Sequence, residues 1–349
     1  MPNIYPVIRV EDRETVELVF MLISIAGVPL TLMALLIIMT KTPPQMKTYK
    51  LIIVSSTVTS LLTDIVICFL FDPIPLFPEV ACYSKTWIAN ISEDANYILL
   101  CISMVMLQLT LSNTLVAFIY RRNSLGTLSK KCLIFSNCGL KYTLSAAYLF
   151  SLVPVVVVLI KGYRPRSQMR KVVEKTPELK LLEDYGSYLA ADKNDSYILI
   201  FQAIWLSSAF AIVTLCTMLA SRIITQLHER RQSMSLRSLQ LHRRLTIQLT
   251  VQILIPVATT LIPLLVLFCT RYTEVLFGAE FWNLVISQTV ALNSPLNTIA
   301  TMLATRHYLT AFAQPFKHVA NKLLRAKPYP AMHVLSRLEE RHTYPTRIA

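Results

Sequence analysis

The stretch VELVFMLISIAGVPLTLMALLIIMT, residues 16–40, is a run of 25 predominantly apolar residues. Crossing a bilayer takes about 20 apolar residues in a helix, because lipid offers the backbone no hydrogen-bond partners. The run is also too long for the apolar core of a cleavable signal, which covers about 7–15 residues. Residues 16–40 are therefore predicted to span a membrane as an uncleaved helix.

Six more segments of this kind follow in the 349-residue chain. The seven predicted spans cover about 16–40, 50–71, 97–120, 142–160, 197–220, 245–269 and 281–304. Only 15% of the residues are charged, whereas soluble domains carry about 25%. The predicted fold class is an all-α membrane protein, a seven-transmembrane helix bundle over residues 16–304.

The net charge of +14 is concentrated on one predicted side of the membrane. Segments 41–50, 121–141, 221–244 and 305–349 carry net charges of +3, +5, +5 and +6. Basic loops stay in the cytoplasm, so this pattern predicts an extracellular N-terminus, residues 1–15, and a cytoplasmic tail. The same distribution argues against binding to nucleic acid.

Three features of the predicted outer loops suggest modification. The sequons at Asn90 and Asn194 are both placed where glycosylation is possible, which predicts a glycoprotein. Cys82 lies on an outer loop, and Cys101 or Cys269 could be its disulfide partner. Sequence alone does not fix that connectivity.

The start of the tail is predicted to form an amphipathic helix over about residues 306–326. Apolar side chains recur there at steps of three and four, namely Leu309, Phe312, Phe316, Val319 and Leu323. Basic residues occupy the other faces, and anionic lipid attracts each of them by about 1 kcal/mol. We expect this helix to lie on the inner leaflet.

Asp64 is a carboxylate within the second span. Burial there costs about 2.5–3.5 kcal/mol or more, so the side chain should face the bundle interior or water. One interpretation is an ion contact, a ligand contact or a switch between receptor states. The other is a hydrogen-bonded strut to the third or seventh helix, through Ser112, Asn113 or Asn293.

Prolines break the sixth and seventh spans. Pro256 and Pro263 each remove a backbone hydrogen bond from the sixth helix, and Pro295 does the same in the seventh. These positions are hinge candidates, although such kinks also occur for packing reasons alone. Polar residues in the third and sixth spans, such as Gln108 and Gln252, could either line a site or hold the helices together.

Basic residues stand at the predicted cytoplasmic ends of the third and sixth helices. Tyr120, Arg121 and Arg122 end the third span, and Arg243 and Arg244 precede the sixth. Positive-inside anchoring explains them. A second interpretation is contact with a cytoplasmic partner or a lock on the inactive state.

Several absences argue against an enzyme. The chain has no glycine-rich phosphate loop, no Ser-His-Asp set on one predicted side of the membrane, and no paired intramembrane carboxylates. The seventh span contains no lysine, which excludes a retinal Schiff base there. We expect no catalytic activity, no metal and no cofactor.

The chain resembles the nematode chemoreceptors of serpentine receptor class H, or the related class I. The likeness covers most of the chain and depends first on TPPQMKTYK at 42–50. Further matching residues are Asp64, Pro73, Pro78, Gln248, Pro256, Pro263, SPLNT at 294–298 and RHY at 306–308. The Tyr120-Arg121-Arg122 triplet differs from the acidic-Arg-aromatic triplet of rhodopsin-like receptors.

The resemblance implies a chemosensory G-protein-coupled receptor. The ligand would be a small molecule in the outer half of the bundle, and movement of helix six would signal to a heterotrimeric G protein. The expected location is the plasma membrane, with a sensory cilium as one possibility. Candidate ligand contacts are Gln108, Trp205, Gln252, Thr259 and Gln288. The alternative is an ion channel or transporter that uses Asp64 as its ion site.

Overall fold

The computed structural model describes residues 10–42, 47–76, 79–84, 86–92, 94–126, 137–184, 187–192, 195–229, 231–232, 235–273, 279–304, 308–312 and 314. The helices are α1 (Val10–Lys41), α2 (Lys47–Asp64), α3 (Ala95–Gly126), α4 (Asn137–Lys161), α5 (Arg166–Lys175), α6 (Ser196–Glu229), α7 (Leu236–Pro256), α8 (Ile262–Thr273) and α9 (Ala279–Ala304). The strands are β1 (Ile74–Pro75), β2 (Val80–Tyr83) and β3 (Tyr188–Ala191).

Each of the seven predicted spans falls on a helix of the structure. Among the described residues, six helical segments are long and apolar enough to cross a membrane, and the sixth of them combines α7 with α8. The seventh predicted span coincides with α9. The predicted all-α seven-helix bundle is therefore confirmed.

Helix α3 is the central element of the bundle. It packs against α2, α4, α6 and α7, and 56% of its most apolar segment is buried, the largest share among the six spanning segments. Phe118 of α3 and Trp205 of α6 lie in the largest apolar core cluster, with 0% and 1% of their surface exposed. Side chains on the outer faces of the helices are apolar and exposed, as lipid contact requires.

Helices α1 and α9 pack closely at a glycine. A Cβ atom built on Gly27 would lie 2.9 Å from Cγ of Pro295, so the absence of a side chain allows this approach. One turn further along, the Thr31 and Thr298 hydroxyls are hydrogen-bonded at 3.2 Å. Small residues at helix contacts are typical of membrane bundles.

Two spans change their helical winding. Helix α2 continues as a π-helix over Ile65–Phe71, which ends at Asp72 in the left-handed conformation (φ 40°). A second π-helical turn, Val257–Leu261, joins α7 to α8 directly after Pro256. Turns of this kind occur often at functional sites.

A small folded unit covers one end of the bundle. Strands β1, β2 and β3 form an antiparallel sheet in that order, with Cys82 opposite Leu189. Helix α5 and the 3₁₀ helix Pro177–Asp184 pack on the sheet through a second apolar cluster that includes Leu182 and Tyr83. We call the described residues of 72–94 and 162–195 the cap, its side of the bundle the cap end, and the opposite side the tail end.

The segment after α9 is described only at its beginning. Residues 308–312 are helical, and the Tyr308 hydroxyl lies 2.8 Å from Thr42 Oγ1 at the tail end of α1. Most of the predicted amphipathic helix, 306–326, lies outside the described residues, and so do residues 1–9 of the predicted N-terminal segment. Both remain predictions.

Candidate functional site

A cavity of about 320 Å³ lies between the cap and the cap ends of the spanning helices. Its walls come from the π-helix that follows α2 and from α3, α4, α6, α8 and α9, and the cap strands form its roof. The volume is at the lower limit of the range of about 300–1,000 Å³ that is typical of ligand pockets. At about 30 Å³ per molecule, it equals the volume of roughly ten water molecules.

The cavity wall is largely apolar. Leu100, Met104 and Phe201 are among its side chains. Several polar groups of the wall are already bonded to the protein: the Tyr97 hydroxyl donates to the carbonyl of Leu159, and Ser103 donates to the carbonyl of Leu99 at 2.8 Å. Such a wall favours a neutral, apolar ligand, because a polar one would lose its hydrogen bonds to water without replacement.

An ion pair stands at the rim of the cavity. Arg164, just after α4, donates from Nε and Nη2 to the carboxylate of Asp195 at 3.2 and 3.1 Å. The same carboxylate accepts a hydrogen bond from the backbone N–H of Tyr197 at 2.9 Å and so caps the start of α6. The Arg164 guanidinium also lies 4.7 Å from the centre of the Tyr197 ring.

The five predicted ligand contacts lie elsewhere in the bundle, and none belongs to the wall of this cavity. Gln108 donates to Ser208 at 2.7 Å, and Gln252 donates to Thr301 at 2.7 Å. Thr259 donates to the carbonyl of Ile255, Trp205 is 1% exposed, and Gln288 is half-buried. Ligand contact by these residues stays a prediction.

Sequence reasoning missed the residues that form the roof and the rim. The short apolar runs Val80–Tyr83 and Tyr188–Ala191 are signals for strands, but they are embedded in polar loops. Their pairing joins residues that are more than 100 positions apart. Arg164 and Asp195 could have been noted as opposite charges at the two ends of one long loop.

Asp64 is 5% exposed and lies beside Ser294 of α9. It therefore faces the seventh helix, as the strut interpretation predicts, although Ser294 differs from the three partners proposed there. Its Oδ2 atom has no hydrogen-bond partner among the described residues, and the same is true of Oδ1 of Asn293. The role of Asp64 as a strut or a switch stays a prediction.

Asn113 connects three helices. Its side-chain N–H group donates to Thr59 of α2 at 3.0 Å, and its carbonyl oxygen accepts from Tyr148 of α4 at 2.6 Å. Ser55 of α2 is a weaker third partner at 3.4 Å. Hydrogen bonds between membrane helices contribute about 0.6 kcal/mol each on average, so this residue stabilises the contact of α3 with α2 and α4.

We predict that Asn113→Leu lowers the free energy of unfolding by about 1 kcal/mol, because it removes the hydrogen bonds that join α3 to Thr59 of α2 and to Tyr148 of α4. The measurement is thermal unfolding of the detergent-purified protein. Asn293→Leu is the matched control, since Asn293 is equally buried but its Oδ1 has no partner among the described residues. An equal loss in both variants would contradict the role assigned to the Asn113 network.

The three hinge candidates occupy different settings. Pro256 ends α7 immediately before the π-helical turn, and Pro263 is the second residue of α8. Pro295 lies inside α9, against Gly27 of α1. Pro256 thus marks a change in winding, whereas Pro295 is fixed by a close helix contact. Hinge motion at these positions stays a prediction.

A polar cluster forms the tail end of α3. Arg121 is 5% exposed, and its Nε and Nη2 atoms have no hydrogen-bond partner among the described residues. Tyr49 and His242 lie close enough to interact with it electrostatically. Tyr120 is half-buried, and its ring stacks on that of Tyr49 at 6.3 Å.

The other basic residues predicted to face a partner are exposed. Arg122, Arg243 and Arg244 all lie on the surface at the tail end. Arg121 therefore differs from them: it is inside the bundle and could reach a partner only if the neighbouring helices separated.

The predicted disulfide and glycosylation sites lie in different structural environments. Cys82 and Cys101 are not joined by a disulfide in the structure, and Cys269 is exposed; a disulfide at Cys82 stays a prediction. Asn90 is exposed on a turn of the cap, as glycosylation would require. Asn194 lies outside the described residues. Use of either sequon stays a prediction.

Two comparisons with known proteins bear on identity. A search of curated proteins gives no match to this chain. The family model described as serpentine type 7TM GPCR chemoreceptor Srh matches residues 11–318. That range includes all seven spanning segments, the cap and the tail-end cluster. The chain therefore belongs to the Srh family of serpentine seven-transmembrane chemoreceptors, and it is a multi-pass membrane protein of the chemosensory GPCR type.

Proposed function

We propose that this receptor detects a small, neutral, largely apolar molecule bound in the cavity beneath the cap. The observation that carries the proposal is the cavity itself, with its apolar wall and a volume equal to that of roughly ten water molecules. Ligand recognition would then depend on shape and burial of apolar surface rather than on charge. Binding energy of this kind is about 25 cal/mol per Å² of apolar area.

The cap end faces outside in this proposal. The basic loops lie at the tail end, and the positive-inside rule places that end in the cytoplasm, with the N-terminus outside. The plasma membrane, and in a sensory neuron its cilium, is the location that fits detection of external molecules. Lipid contacts the exposed apolar faces of the helices.

Movement of the sixth spanning helix transmits the signal in this proposal. Leu264 and Phe268 of α8 belong to the cavity wall, so a bound ligand touches this helix. The π-helical turn after Pro256 separates that contact from α7, whose tail end carries Arg243 and Arg244. The ligand shifts the equilibrium towards the arrangement that it binds more tightly, and by no more than that preference. A heterotrimeric G protein at the tail end would bind the shifted state.

Ser103→Phe is predicted to reduce the sensitivity of the response to ligand. Ser103 lies in the cavity wall and bonds only to a carbonyl of its own helix, so a phenyl group there fills the cavity without breaking a bond between helices. The measurement is a calcium reporter in cells that express the receptor, screened with volatile and soluble compounds. We expect at least a tenfold loss of sensitivity, equivalent to about 1.4 kcal/mol of binding energy.

Ile102→Phe is the matched control. Ile102 adjoins Ser103, is 37% exposed and does not line the cavity. The ligand response of the Ile102→Phe receptor should therefore match that of the unaltered receptor. A normal response from Ser103→Phe would place the ligand elsewhere, for example at the five residues predicted from sequence. A ligand-evoked current in cells without G-protein signalling would favour a channel over a receptor.

A further inference from the structure

The cavity beneath the cap reaches the side of the bundle between α4 and α6. Leu159 and Gly162 at the end of α4 belong to its wall, and so do Tyr197, Ile198 and Phe201 at the start of α6. Tyr197 is both part of the wall and 45% exposed. Tyr197 therefore contributes both to the cavity wall and to the outer surface of the bundle.

This gap is confined to the cap end of the two helices. Further towards the tail end, Val155 of α4 and Trp205 and Ala209 of α6 are buried in the same apolar core cluster. Helices α4 and α6 thus pack together below the cavity, and beside it both contribute residues to its wall. The surface that borders the gap is apolar, since Ile160 and Ile200 are 69% and 46% exposed.

The roof of the cavity offers a less accessible route. Ala81, Leu189 and Ala190 form part of it, and all three are at least nine-tenths buried in a hydrogen-bonded sheet. A ligand that came through the paired strands would have to separate them and open the apolar cluster behind them. Other cap residues of the wall, such as Glu79 and Ala191, are partly exposed. A ligand that came from the side, between α4 and α6, would have to displace the Tyr197 ring.

Arg164 and Asp195 hold that ring in place. The Asp195 carboxylate binds the guanidinium of Arg164 and the backbone N–H of Tyr197, and the guanidinium lies over the Tyr197 ring. Both charged side chains are partly exposed, at 25% and 17%. Interactions of this type at a surface are weak enough to open thermally.

We propose that the space between α4 and α6 at the cap end is a lateral portal for ligands dissolved in the membrane. Tyr197 is its gate, and the Arg164–Asp195 ion pair is the latch. The inference deepens the proposed function and rests on it in one respect, namely that the cavity is where a ligand binds. It identifies the ligand class as lipid-soluble molecules that arrive from the bilayer.

The native thiol of Cys82 provides a test that needs no known ligand. Cys82 lies in the cavity wall, and burial raises its pKa to about 12, so it reacts slowly with a maleimide. Its labelling rate then reports how often the portal is open. The probe is N-dodecylmaleimide dissolved in liposomes that contain the purified full-length receptor, with peptide mass spectrometry as the readout and the exposed thiol of Cys269 as internal reference.

Arg164→Ala and Tyr197→Ala are each expected to raise the labelling rate of Cys82 about fivefold. Loss of one weak surface interaction changes the equilibrium between closed and open portal by about this factor. Arg166→Ala is the matched control. Arg166 lies over the Tyr188 ring at 5.1 Å in the same cap, but neither residue lines the cavity. The labelling rate of Cys82 in the Arg166→Ala variant should equal that in the unaltered receptor.

Three results would overturn the portal. One is an unchanged rate, or no labelling of Cys82 at all, in both variants. The second is an equal rise with Arg166→Ala, which would indicate general loosening of the cap. The third is faster labelling by a charged, water-soluble maleimide than by the lipid-dissolved one, which would place access through the cap. Since labelling needs no signalling response, failure here is separate from failure of the Ser103→Phe test.

Discussion

Gly27→Leu is expected to prevent assembly of the seven-helix bundle. A Cβ atom at position 27 would already lie 2.9 Å from the ring of Pro295, and the proline ring has little freedom to move away. A leucine adds three more carbon atoms at the same point, and overpacking of this kind costs about 1–3 kcal/mol or more. The measurement is the fraction of receptor that reaches the cell surface, which we expect to fall to background.

Two variants calibrate this result. Gly27→Ala should give an intermediate loss, because it adds only the atom that meets Pro295. Ala26→Leu places the same leucine at an exposed neighbouring position, where lipid accommodates it, and should leave surface expression unchanged. If Gly27→Leu reached the surface as well as Ala26→Leu does, the contact between α1 and α9 would not determine assembly.

The spanning helices were predictable because each depends on a local property of the chain. A run such as 16–40 must be helical in lipid, whatever its neighbours are, since its backbone can find partners only within itself. Helix α1 covers that run entirely. The charge difference between loops is equally local, and it supplied the predicted orientation.

Contacts between distant residues were not predictable in this way. Nothing near Gly27 in the sequence indicates that it meets Pro295, and nothing near residues 80–83 indicates that they pair with 188–191. The roof of the cavity depends on that second pairing. The wall of the cavity is made largely of apolar residues and cap residues. Such residues cannot be identified by looking for polar side chains within the spans.

The predicted ligand contacts illustrate the same limit. Gln108 and Gln252 are predicted ligand contacts because they are polar side chains within spans. In the structure each donates a hydrogen bond to a hydroxyl group of another helix, Ser208 and Thr301 respectively. In lipid, such groups first satisfy one another. Polarity within a span thus indicates a helix contact as readily as a binding site.

Arg121→Met is expected to stabilise the folded receptor and to abolish its signalling. Arg121 is 5% exposed, and two of its nitrogen atoms have no hydrogen-bond partner among the described residues. A buried polar group without partners costs about 1–3 kcal/mol, and more when it is charged. Methionine retains most of the side-chain length without that cost. We therefore expect the thermal unfolding midpoint to rise by about 2–4 °C or more.

The loss of signalling follows from the same burial. A residue that destabilises the resting fold is expected where function requires it, and Arg121 stands at the tail end of α3, close to His242 of α7. In the proposed mechanism, movement of α7 uncovers the guanidinium and lets it bind an acidic or carbonyl group of the G protein. Arg121→Met removes those donors, so ligand should still bind but nucleotide exchange on the G protein should not increase.

Arg122→Met is the control for stability, because Arg122 is the adjacent residue and is exposed. Its unfolding midpoint should stay within about half a degree of the unaltered receptor, as surface substitutions generally do little. A lower midpoint for Arg121→Met would mean that the arginine is paired in the folded state. Full signalling by a stabilised Arg121→Met receptor would mean that the guanidinium is not part of the partner-binding surface, and the buried charge would then need another explanation.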